Sequence, residues 1–505
     1  MCSTGASERG RARLNFFTFF AALREKILFH AKPENAKEIE RIVNIDLNIL
    51  IMAAGLGTRM KSNLAKVLHQ LDGRPLINHV VETAMKLDPR EVCVIVGHQA
   101  DDVKAAVLND FDAAKVSFVI QEKQLGTGDA VNAARSQFEK ADSTLIVLSG
   151  DVPMITSDTL TALVKAHSGA ACTVLSVNLK DPTGYGRVVR DKHDEFDRIV
   201  EQKDASDEEK KIDEINSSIY CFDSKKLYAA LSQVVNHNAQ GEYYLTDVPR
   251  ILREQDEKIA IFLCDDKREV EGVNDRRQLA AMEKTIRKKT VERLMLESGV
   301  TFIDPKSVYV SSCAEFGRDT VIYPNVTIEG KSVIGESCVI RAGTRIKDSN
   351  IGDRVEVRDN CLIRDSEVGS DCTVGPMAHL RGHAVMKDGS KVGNFVELKK
   401  TTLGKESKAS HLTYLGDATI GENTNIGAGT ITCNFDGKNK HETHIGDNVK
   451  IGSDTMLVAP IKVGDGAATG AGSVVTKDVE KGELVVGIPA KKIKAGEETK
   501  ASGSE

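Results

Sequence analysis

The stretch that decides the fold is "VIYPNVTIEGKSVIGESCVIRAGTRI", residues 321–346. Within it, isoleucine returns at every sixth position, at Ile322, Ile328, Ile334, Ile340 and Ile346. Such a hexapeptide period is typical of a parallel β-helix, in which three short strands form one triangular coil and the recurring aliphatic side chains stack inside. We therefore predict a parallel β-helix over residues 300–505, including a C-terminal tail.

The same phase extends well beyond this stretch. The equivalent positions Ile334, Ile351 and Val368 lie 17 residues apart, and a β-branched residue followed by glycine recurs as far as Val463-Gly464.

Two stretches interrupt the period. Residues 386–417 ("MKDGSKVGNFVELKKTTLGKESKASHLTYLGD") keep only pieces of it, and residues 432–444 ("TCNFDGKNKHETH") insert a polar loop. Interruptions in a solenoid are loops on one face, commonly the binding face, and we expect loops here.

The chain before the repeats has a different pattern. Short apolar runs alternate with amphipathic stretches, as in "LNILIMAA" (47–54), "LINHVVETAMKL" (76–87), "EVCVIVG" (91–97) and "TLIVLSGD" (144–151). This alternation is typical of βαβ units with a mostly parallel sheet, so we predict a Rossmann-like α/β domain over residues 47–273. Leu279, Met282 and Ile286 then recur near helical spacing, which predicts a linker helix over residues 274–299.

Composition limits the classes of function. The net charge is -6, from 68 basic and 74 acidic residues, which provides no broad field for a polyanion, so nucleic acid is not an expected partner. The ten cysteines form no CxxC pair; this argues against a zinc ribbon or a disulfide framework and favours a reducing, cytoplasmic location. There is no apolar run long enough to span a membrane.

Residues 1–46 are interpreted as an N-terminal extension of unknown role. Their early arginines and few acids fit a transit peptide, a membrane-surface helix or an upstream miscalled start, and we favour a nonessential extension. The segment "ENAKEIERIV" (34–43) predicts a docking or spacer helix with Ile39, Ile42 and Val43 on one side.

The glycine loop "LIMAAGLGTRM" (50–60) favours a phosphorylated ligand. Met60 replaces the third glycine of a dinucleotide fingerprint, and the Gly-Lys-Ser/Thr end of a P-loop is missing. What remains is a strand entering a glycine turn, whose backbone N–H groups can approach phosphate, followed by Arg59 and Lys66. The alternative is a tight strand-to-helix turn with solvated cations.

Further motifs connect this loop to a known family. The segment "GTRMKSNLAKVLHQLDGRPLINHVV" (57–81) resembles the signature of sugar-1-phosphate nucleotidyltransferases, and "QEKQLGTGDAV" (121–131), "LSGDVP" (148–153), "DPTGYGRVV" (181–189) and "EGVND" (271–275) follow in that family's order. With the hexapeptide half and "SHLTYLGDATIGENTNIGAGTITCNFDG" (410–437), the chain resembles bacterial bifunctional N-acetylglucosamine-1-phosphate uridylyltransferases / glucosamine-1-phosphate N-acetyltransferases, from about Leu47 to about Pro489.

The resemblance implies a two-step synthesis of UDP-N-acetylglucosamine, a precursor of peptidoglycan and lipopolysaccharide. Acetyl-CoA would acetylate glucosamine 1-phosphate, and UTP would then uridylylate the product and release pyrophosphate. It also implies that the β-helix is left-handed, that Mg²⁺ is the metal, and that the protein is a homotrimer with acetyl-transfer sites between adjacent solenoids.

The uridylyl-transfer site is expected around Asp151. This residue directly follows an apolar strand, at the carboxyl end where open α/β sheets bind ligands, and a carboxylate suits a hard cation. Phosphoryl-type transfer needs positioning and charge neutralisation, and the resemblance assigns the catalytic cations to Arg59 and Lys66 and the second Mg²⁺ ligand to Asn274. The other nucleotide and sugar contacts that it implies are Met52, Ala53, Ala54, Gly55, Gln121, Gly126, Thr127, Ser149, Gly150, Gly186, Glu201 and Asn216. Considered singly, Glu201 and Asn216 would be surface or capping residues.

The acetyl-transfer site needs a base for the sugar ammonium. His411 in "SHLTYLGD" is the candidate, because the pKa of histidine lies near neutrality, although a lone histidine on a solenoid is usually a solvated side chain. The resemblance implies Arg381, Lys399, Tyr414 and Asn425 around the sugar phosphate, and Ala428, Asn434, Phe435, Ser453 and Ala471 along acetyl-CoA.

The chain departs from the family pattern at two positions. Ala65 replaces a proline before Lys66, and Phe435 replaces a tyrosine. In the tail "VVGIPAKKI" (485–493), the basic residue that contacts coenzyme A is not identified by the resemblance, and Lys491 or Lys492 would supply that contact.

Two alternative functions also remain open. One is an enzyme that transfers only the nucleotide and uses its solenoid structurally. The other is a nonenzymatic scaffold, which the retention of Asp151 and Lys66 disfavours.

Overall fold

The computed structural model describes residues 46–494, and the chain divides into two compact units, Met1–Leu279 and Ala280–Glu505. The N-terminal extension up to residue 45, with the helix predicted at residues 34–43, and the last residues of the tail lie outside the described residues. Among the helices of residues 46–494, none is long and apolar enough to cross a membrane.

The described part of the first unit contains a nine-stranded mixed sheet. Its strands are β1 Leu47–Ala53, β2 Glu91–Val96, β3 Val116–Ile120, β4 Thr144–Ser149, β5 Cys172–Asn178, β6 Arg187–Arg190, β7 Phe196–Val200, β8 Glu214–Asp223 and β9 Ile259–Leu263. The order is β9-β5-β8-β4-β1-β2-β3, with β6 paired to β8 and β7 to β6. The pairs β4-β1, β1-β2 and β2-β3 are parallel, as predicted, whereas β8 runs antiparallel to β4, β5 and β6. The carboxyl ends of the parallel strands therefore share one edge.

Helices pack on both faces of this sheet. They are α1 Leu76–Met85, α2 Ala100–Asp110, α3 Thr127–Ala133, α4 Arg135–Phe138, α5 Ser157–Ala166, α6 Ser224–Leu231 and α7 Asp247–Glu254. Short 3-10 helices occupy Thr58–Met60, Lys66–Leu68, Glu209–Lys211 and Lys267–Glu269, and a two-stranded hairpin joins Gln70–Leu71 to Arg74–Pro75. Successive β1 side chains alternate between faces, so Ile49 and Ile51 enter one buried cluster and Leu50 enters the other. A last helix, α8, spans Arg276–Glu297, within the segment for which a linker helix was predicted.

The second unit stacks short strands into three sheets of twelve, ten and nine strands within the described residues. The twelve-stranded sheet contains Thr301–Phe302, Val321–Ile322, Val339–Ile340, Glu356–Val357, Thr373–Val374, Lys391–Asn394, Lys408–His411, Asn425–Ile426, Lys450–Ile451, Ala468–Thr469, Leu484–Val486 and Lys491–Lys494. The ten-stranded sheet contains Tyr309–Val310, Thr327–Glu329, Arg345–Lys347, Leu362–Arg364, His379–Arg381, Glu397–Lys399, Tyr414–Gly416, Ile431–Cys433, Met456–Val458 and Val474–Val475. The nine-stranded sheet contains Glu315–Phe316, Val333–Ile334, Asn350–Ile351, Glu367–Val368, Val385–Met386, Thr402–Leu403, Ala418–Ile420, Thr443–Ile445 and Ile461–Val463.

The strand register confirms the hexapeptide interpretation. Ile334 pairs with Ile351, and Ile351 with Val368, so the 17-residue spacing is one complete coil. These residues belong to a single aliphatic core that follows the axis of the solenoid. Coils turn at residues in the left-handed region, such as Asn325 (φ 60) and Asn360 (φ 58), a conformation that asparagine tolerates. The predicted fold class, an α/β nucleotidyltransferase domain followed by a left-handed parallel β-helix, is confirmed.

The two interruptions of the period have different outcomes. Residues 386–417 were expected to form a loop, and this expectation is wrong: Lys391 pairs with Lys408, and Lys408 with Asn425, in steps of ordinary coil length. The coil closes there because Ala409 and Leu415 replace the usual β-branched residues in the core. Residues 432–444 do contain an inserted loop, since the next step, from Asn425 to Lys450, is 25 residues long.

Candidate active sites

The turn after β1 brings two cations to the sheet edge. Gly57 has a φ of 61°, and a Cβ atom there would lie 2.6 Å from the Cβ of Lys66, so glycine permits the close approach of this lysine. Arg59 lies on the first 3-10 helix, and Lys66 begins the second. The backbone N–H of Ala65 donates to Oε1 of Gln99 at 2.5 Å, which holds the segment before Lys66 in place.

Lys66 and Arg59 meet two oxygen-bearing side chains at this edge. Lys66 Nζ forms an ion pair with Asp151, just beyond the end of β4, and lies 3.4 Å from Oδ1 of Asn274. Arg59 Nη2 donates to the same Oδ1 at 2.8 Å. Ser149 Oγ donates to Oδ1 of Asp151 at 2.5 Å. The oxygens of Asp151 and Asn274 therefore converge on one cationic group, although they are distant in sequence.

The donor set at this point suits a hard divalent cation. A carboxylate and an amide oxygen are the ligands that Mg²⁺ prefers, and both already lie within reach of the Lys66 ammonium group. Gly272 lies beside them, and a Cβ atom there would be in van der Waals contact with Oδ2 of Asp151, at 3.5 Å. No cluster of three or more His, Cys, Asp or Glu residues suited to a metal occurs within residues 46–494. Asp151 and Asn274 thus supply two oxygen ligands of the kind that suits a hard divalent cation.

The residues predicted for the uracil side flank the same edge. Met52, Ala53, Ala54 and Gly55 form the end of β1 and the start of the turn, and Gly150 N–H donates to the carbonyl of Met52 at 2.9 Å. Gln121 is buried, and its Nε2 donates to Gly126 O at 3.2 Å and to Asp129 Oδ2 at 2.7 Å. The Thr127 hydroxyl accepts from Leu245 N–H at 3.0 Å. Gln121, Gly126 and Thr127 therefore form one ordered group at the start of α3.

The predicted sugar residues form a second group. Asn216 N–H donates to Gly186 O at 2.9 Å, and a Cβ atom on Gly186 would lie 3.5 Å from Oε1 of Glu201. Glu201 accepts a hydrogen bond from the Thr246 hydroxyl at 3.2 Å. Burial raises the pKa of Glu201, and nearby carboxylates raise it further. Burial raises the pKa of Tyr185, next to Gly186, and the charges of Glu271 and Asp151 raise it further.

On the solenoid, the predicted phosphate-binding residues share the ten-stranded sheet. Arg381 pairs with Lys399 on the next coil, and Tyr414 lies one coil further, opposite Glu397. Arg381 Nε donates to Oε1 of Glu397 at 2.6 Å. Lys399 Nζ donates to both oxygens of Asp417, at 2.9 and 2.7 Å. Asn434 Nδ2 donates to the same carboxylate at 2.5 Å.

His411 and Asn425 belong to a different sheet from Arg381, Lys399 and Tyr414. His411 is the exposed last residue of the strand Lys408–His411 in the twelve-stranded sheet, and Asn425 begins the next strand of that sheet. Within one chain, the described contacts do not join His411 or Asn425 to Arg381, Lys399 or Tyr414.

The predicted acetyl-CoA residues fall into two places. Ala428, Ser453 and Ala471 occupy equivalent corner positions on successive coils, as shown by the hydrogen bonds from Asp454 N to Ala428 O (2.6 Å) and from Gly472 N to Ser453 O (2.8 Å). Asn434 and Phe435 lie instead at the start of the inserted loop, where Asn434 is buried and the Phe435 ring is 59% exposed. The tail residues Lys491 and Lys492 lie on the last described strand.

Two charged residues near this cluster were missed by the sequence analysis. Asp417 ends the motif "SHLTYLGD", and Lys440 lies in "TCNFDGKNK", so both motifs had been singled out without a role for these positions. Lys440 approaches the Lys399 ammonium group, which lowers the pKa of Lys440. For Asp417, hydrogen bonds from Lys399 and Asn434 outweigh burial and lower its pKa. Only the stacking of coils reveals that these residues meet.

The fold and the two sites define a class of enzyme, a nucleotidyltransferase joined to a hexapeptide-repeat transferase. The family model for nucleotidyl transferases matches residues 48–268, and the one for bacterial transferase hexapeptides (six repeats) matches residues 442–477. The model for the GMPPB C-terminal domain matches residues 305–399.

Whole-chain relatives identify the family. The chain is 47% identical to the bifunctional protein GlmU of Syntrophomonas wolfei over 442 residues, 87% of this chain and 97% of that protein. It is 46% identical to the bifunctional protein GlmU of Shouchella clausii (86% and 95% covered) and 45% identical to that of Listeria monocytogenes serotype 4a (85% and 93% covered). The chain belongs to the GlmU family. This confirms the predicted bifunctional enzyme, with uridylyltransferase and acetyltransferase activities and two-step synthesis of UDP-N-acetylglucosamine from nucleotide and acetyl-CoA substrates.

Proposed function

We propose that the two activities reside in two separate sites, with uridylyl transfer at the β1–β4 edge and acetyl transfer on the solenoid around Lys399. The observation that carries the first assignment is the convergence of Lys66 and Arg59 on Asp151 and Asn274. The second is supported by the Arg381, Lys399 and Lys440 cations, which outnumber the carboxylates Glu397 and Asp417 and so leave excess positive charge for a sugar phosphate.

For uridylyl transfer, the phosphate oxygen of N-acetylglucosamine 1-phosphate attacks the α-phosphorus of UTP, and pyrophosphate leaves. Arg59 and Lys66 hold the phosphates and neutralise charge that develops on them. Asp151 and Asn274 hold Mg²⁺, which when bound supplies further charge neutralisation at the phosphates. Met52, Ala53, Ala54, Gly55, Gln121, Gly126, Thr127, Ser149 and Gly150 bind the nucleotide side, and Gly186, Glu201 and Asn216 bind the sugar.

For acetyl transfer, His411 takes a proton from the sugar ammonium, and the free amine attacks the thioester carbon of acetyl-CoA. The C–S bond then breaks, and the coenzyme A thiolate leaves and takes up the proton that the amide nitrogen loses. A general base in this role contributes typically about 100-fold to 10,000-fold in rate. Arg381, Lys399 and Tyr414 hold the sugar phosphate, and Asn425 completes that pocket. Ala428, Asn434, Phe435, Ser453 and Ala471 line the path of acetyl-CoA.

A homotrimer in the cytoplasm is part of the proposal. Met377, Phe395 and Leu412 occupy equivalent corner positions on three successive coils, and their side chains are 47%, 56% and 65% exposed. A row of large apolar side chains beside His411 suits burial against a second copy of the chain, which would also complete a site whose residues lie on two sheets.

The nine cysteines of the described part are free thiols, which suits a reducing compartment.

Two half-reactions test this function in the purified chain. With N-acetylglucosamine 1-phosphate, UTP and Mg²⁺, we expect pyrophosphate release; with glucosamine 1-phosphate and acetyl-CoA, we expect release of the coenzyme A thiol. Failure of the first reaction would overturn the assignment at Asp151, and failure of the second would overturn the assignment on the solenoid. Light scattering of the same sample tests the trimer, which a monomeric mass would contradict.

A further inference from the structure

Asp417 contacts both proposed substrate-binding halves of the acetyl-transfer site. Its carboxylate accepts two hydrogen bonds from Lys399 Nζ, at 2.9 and 2.7 Å, and one from Asn434 Nδ2 at 2.5 Å. The Lys399 and Asp417 side chains are only 8% and 12% exposed. The same carboxylate therefore bridges a residue assigned to the sugar phosphate and one assigned to acetyl-CoA.

The backbone of Asp417 also holds the inserted loop. Thr443 N–H, at the end of that loop, donates to the Asp417 carbonyl at 3.1 Å, while Asn434 at its beginning binds the carboxylate. Asp417 N–H in turn donates to Lys399 O at 2.9 Å. One residue thus ties both ends of the loop to the coil that carries Lys399.

These contacts decide which atoms remain for the ligands. An ammonium group has three protons, and after its two bonds to Asp417 the third proton of Lys399 is directed at the Lys440 side chain. The amide nitrogen of Asn434 is engaged by Asp417 and lies 3.4 Å from the Tyr414 hydroxyl, which fixes the amide so that its oxygen is the free acceptor. Asp417 consequently orients the adjoining Lys399 and Lys440 side chains, which can face an anionic phosphate, and the amide oxygen of Asn434, which can accept from an N–H group.

We propose that Asp417 is a positioning residue that couples the sugar-phosphate and acetyl-CoA halves of the acetyl-transfer site through Lys399 and Asn434. This inference rests on the proposed acetyl transfer. Asp417 acts through its neighbours and takes no proton or acetyl group itself. Without its carboxylate, the side chains of Lys399 and Asn434 lose their common hydrogen-bond acceptor, so both substrates bind less well.

Asp417→Asn tests this coupling in the full chain. We expect KM for glucosamine 1-phosphate and KM for acetyl-CoA each to rise about tenfold or more, since misplacing positioning groups by 1 Å costs about 100-fold in rate. Uridylyl transfer should keep its wild-type kinetics, and circular dichroism reports whether the β-helix that carries the substitution is folded. Unchanged KM values for both substrates would overturn the proposal, whereas loss of acetyl transfer from the wild-type chain would overturn the underlying function instead.

A matched control is Asp371→Asn. Asp371 receives two hydrogen bonds from Arg354 of the preceding coil, at 2.7 and 2.8 Å, but contacts none of the proposed site residues. We expect no change in either KM. If Asp417→Asn does not fold, Asp417→Glu keeps the charge and displaces it by one methylene, and the same rise in both KM values is expected. A rise in only one KM with either variant would contradict the coupling.

Discussion

Lys66 and Asp151 lie 85 residues apart in the chain and form an ion pair at the carboxyl edge of the first sheet. Asn274 joins them through its Oδ1 atom, 3.4 Å from Lys66 Nζ. In this arrangement the ammonium group lies at the point where the two proposed Mg²⁺ ligands converge. If Mg²⁺ binds to these ligands as proposed, Lys66 would compete with it for Asp151.

Because of this competition, we expect the Lys66→Met substitution to change uridylyl transfer and Mg²⁺ binding in opposite directions. Uridylyl transfer should fall strongly, because a phosphate-binding cation is lost. Mg²⁺ binding without nucleotide should become tighter by about threefold to tenfold, the effect of removing ~1 kcal/mol of competing ion pair. Titration calorimetry with Mg²⁺ measures this, with Lys86→Met on the surface as control. Unchanged or weaker Mg²⁺ binding would count against the geometry.

His411→Ala should lower acetyl transfer by about 100-fold to 10,000-fold, because the sugar ammonium loses its base. Uridylyl transfer by the same sample should be unaffected. His444→Ala, at a half-exposed position on the nine-stranded sheet, serves as the control and should leave both half-reactions unchanged. An acetyl-transfer rate within twofold of wild type would disprove the role of His411.

Ala65 allows a prediction about stability. Its φ of -54° suits proline. Proline would stabilise the fold by about 0.4 to 1 kcal/mol, because it reduces the conformational entropy of the unfolded chain. Proline would also remove the N–H that binds Gln99, a loss of about 0.5 to 1.5 kcal/mol. We therefore expect Ala65→Pro to leave the thermal midpoint unchanged or slightly lowered in calorimetry. A clear rise of the midpoint would show that the bond to Gln99 contributes nothing.

The buried carboxyl group of Glu201 should make the stability of the folded protein depend on pH. Burial raises its pKa above the ordinary value of 4.5, so the folded state binds this proton more tightly than the unfolded state does. The stability that this tighter proton binding contributes is lost as the pH rises through the raised pKa of Glu201 in the folded state. Glu201→Gln should therefore be more stable than wild type at about pH 8 and lose this advantage near about pH 4. Calorimetry at both values tests this, and an equal difference at both would contradict the burial effect.

Phe435→Tyr should strengthen acetyl-CoA binding modestly. The exposed ring lies at the start of the inserted loop, and a hydroxyl would restore one hydrogen bond, worth about 0.5 to 1.5 kcal/mol. We expect KM for acetyl-CoA to fall by about twofold to tenfold, with KM for glucosamine 1-phosphate unchanged. Steady-state kinetics measures both, and no change in KM for acetyl-CoA would place the ring outside the acetyl-CoA path.

The coil spacing was predictable from sequence because each coil repeats its own local pattern. Ile334, Ile351 and Val368 reveal the register directly, since only inward-facing aliphatic residues satisfy the core. The continuation of the coil through residues 386–417 was not predictable, because Ala409 and Leu415 fill the core without the β-branched signature. Likewise, the antiparallel β8 has no local signal that distinguishes it from a parallel strand.

The candidate sites depended on contacts that sequence spacing does not encode. Asp151 was placed by its position after a strand, but Asn274 required a family resemblance, and only the fold shows that both approach Lys66. Asp417 and Lys440 escaped notice because their roles arise from stacking against Lys399, in coils 18 residues or more away.

Complementation between two variants tests the central claim, that one chain carries two independent sites. Asp151→Asn and His411→Ala are each incubated with glucosamine 1-phosphate, acetyl-CoA, UTP and Mg²⁺, alone and mixed. Each variant alone should form little UDP-N-acetylglucosamine, and the mixture should restore its formation, because the N-acetylglucosamine 1-phosphate made at one site can react at the other. Full activity of either variant alone, or no product from the mixture, would contradict the account.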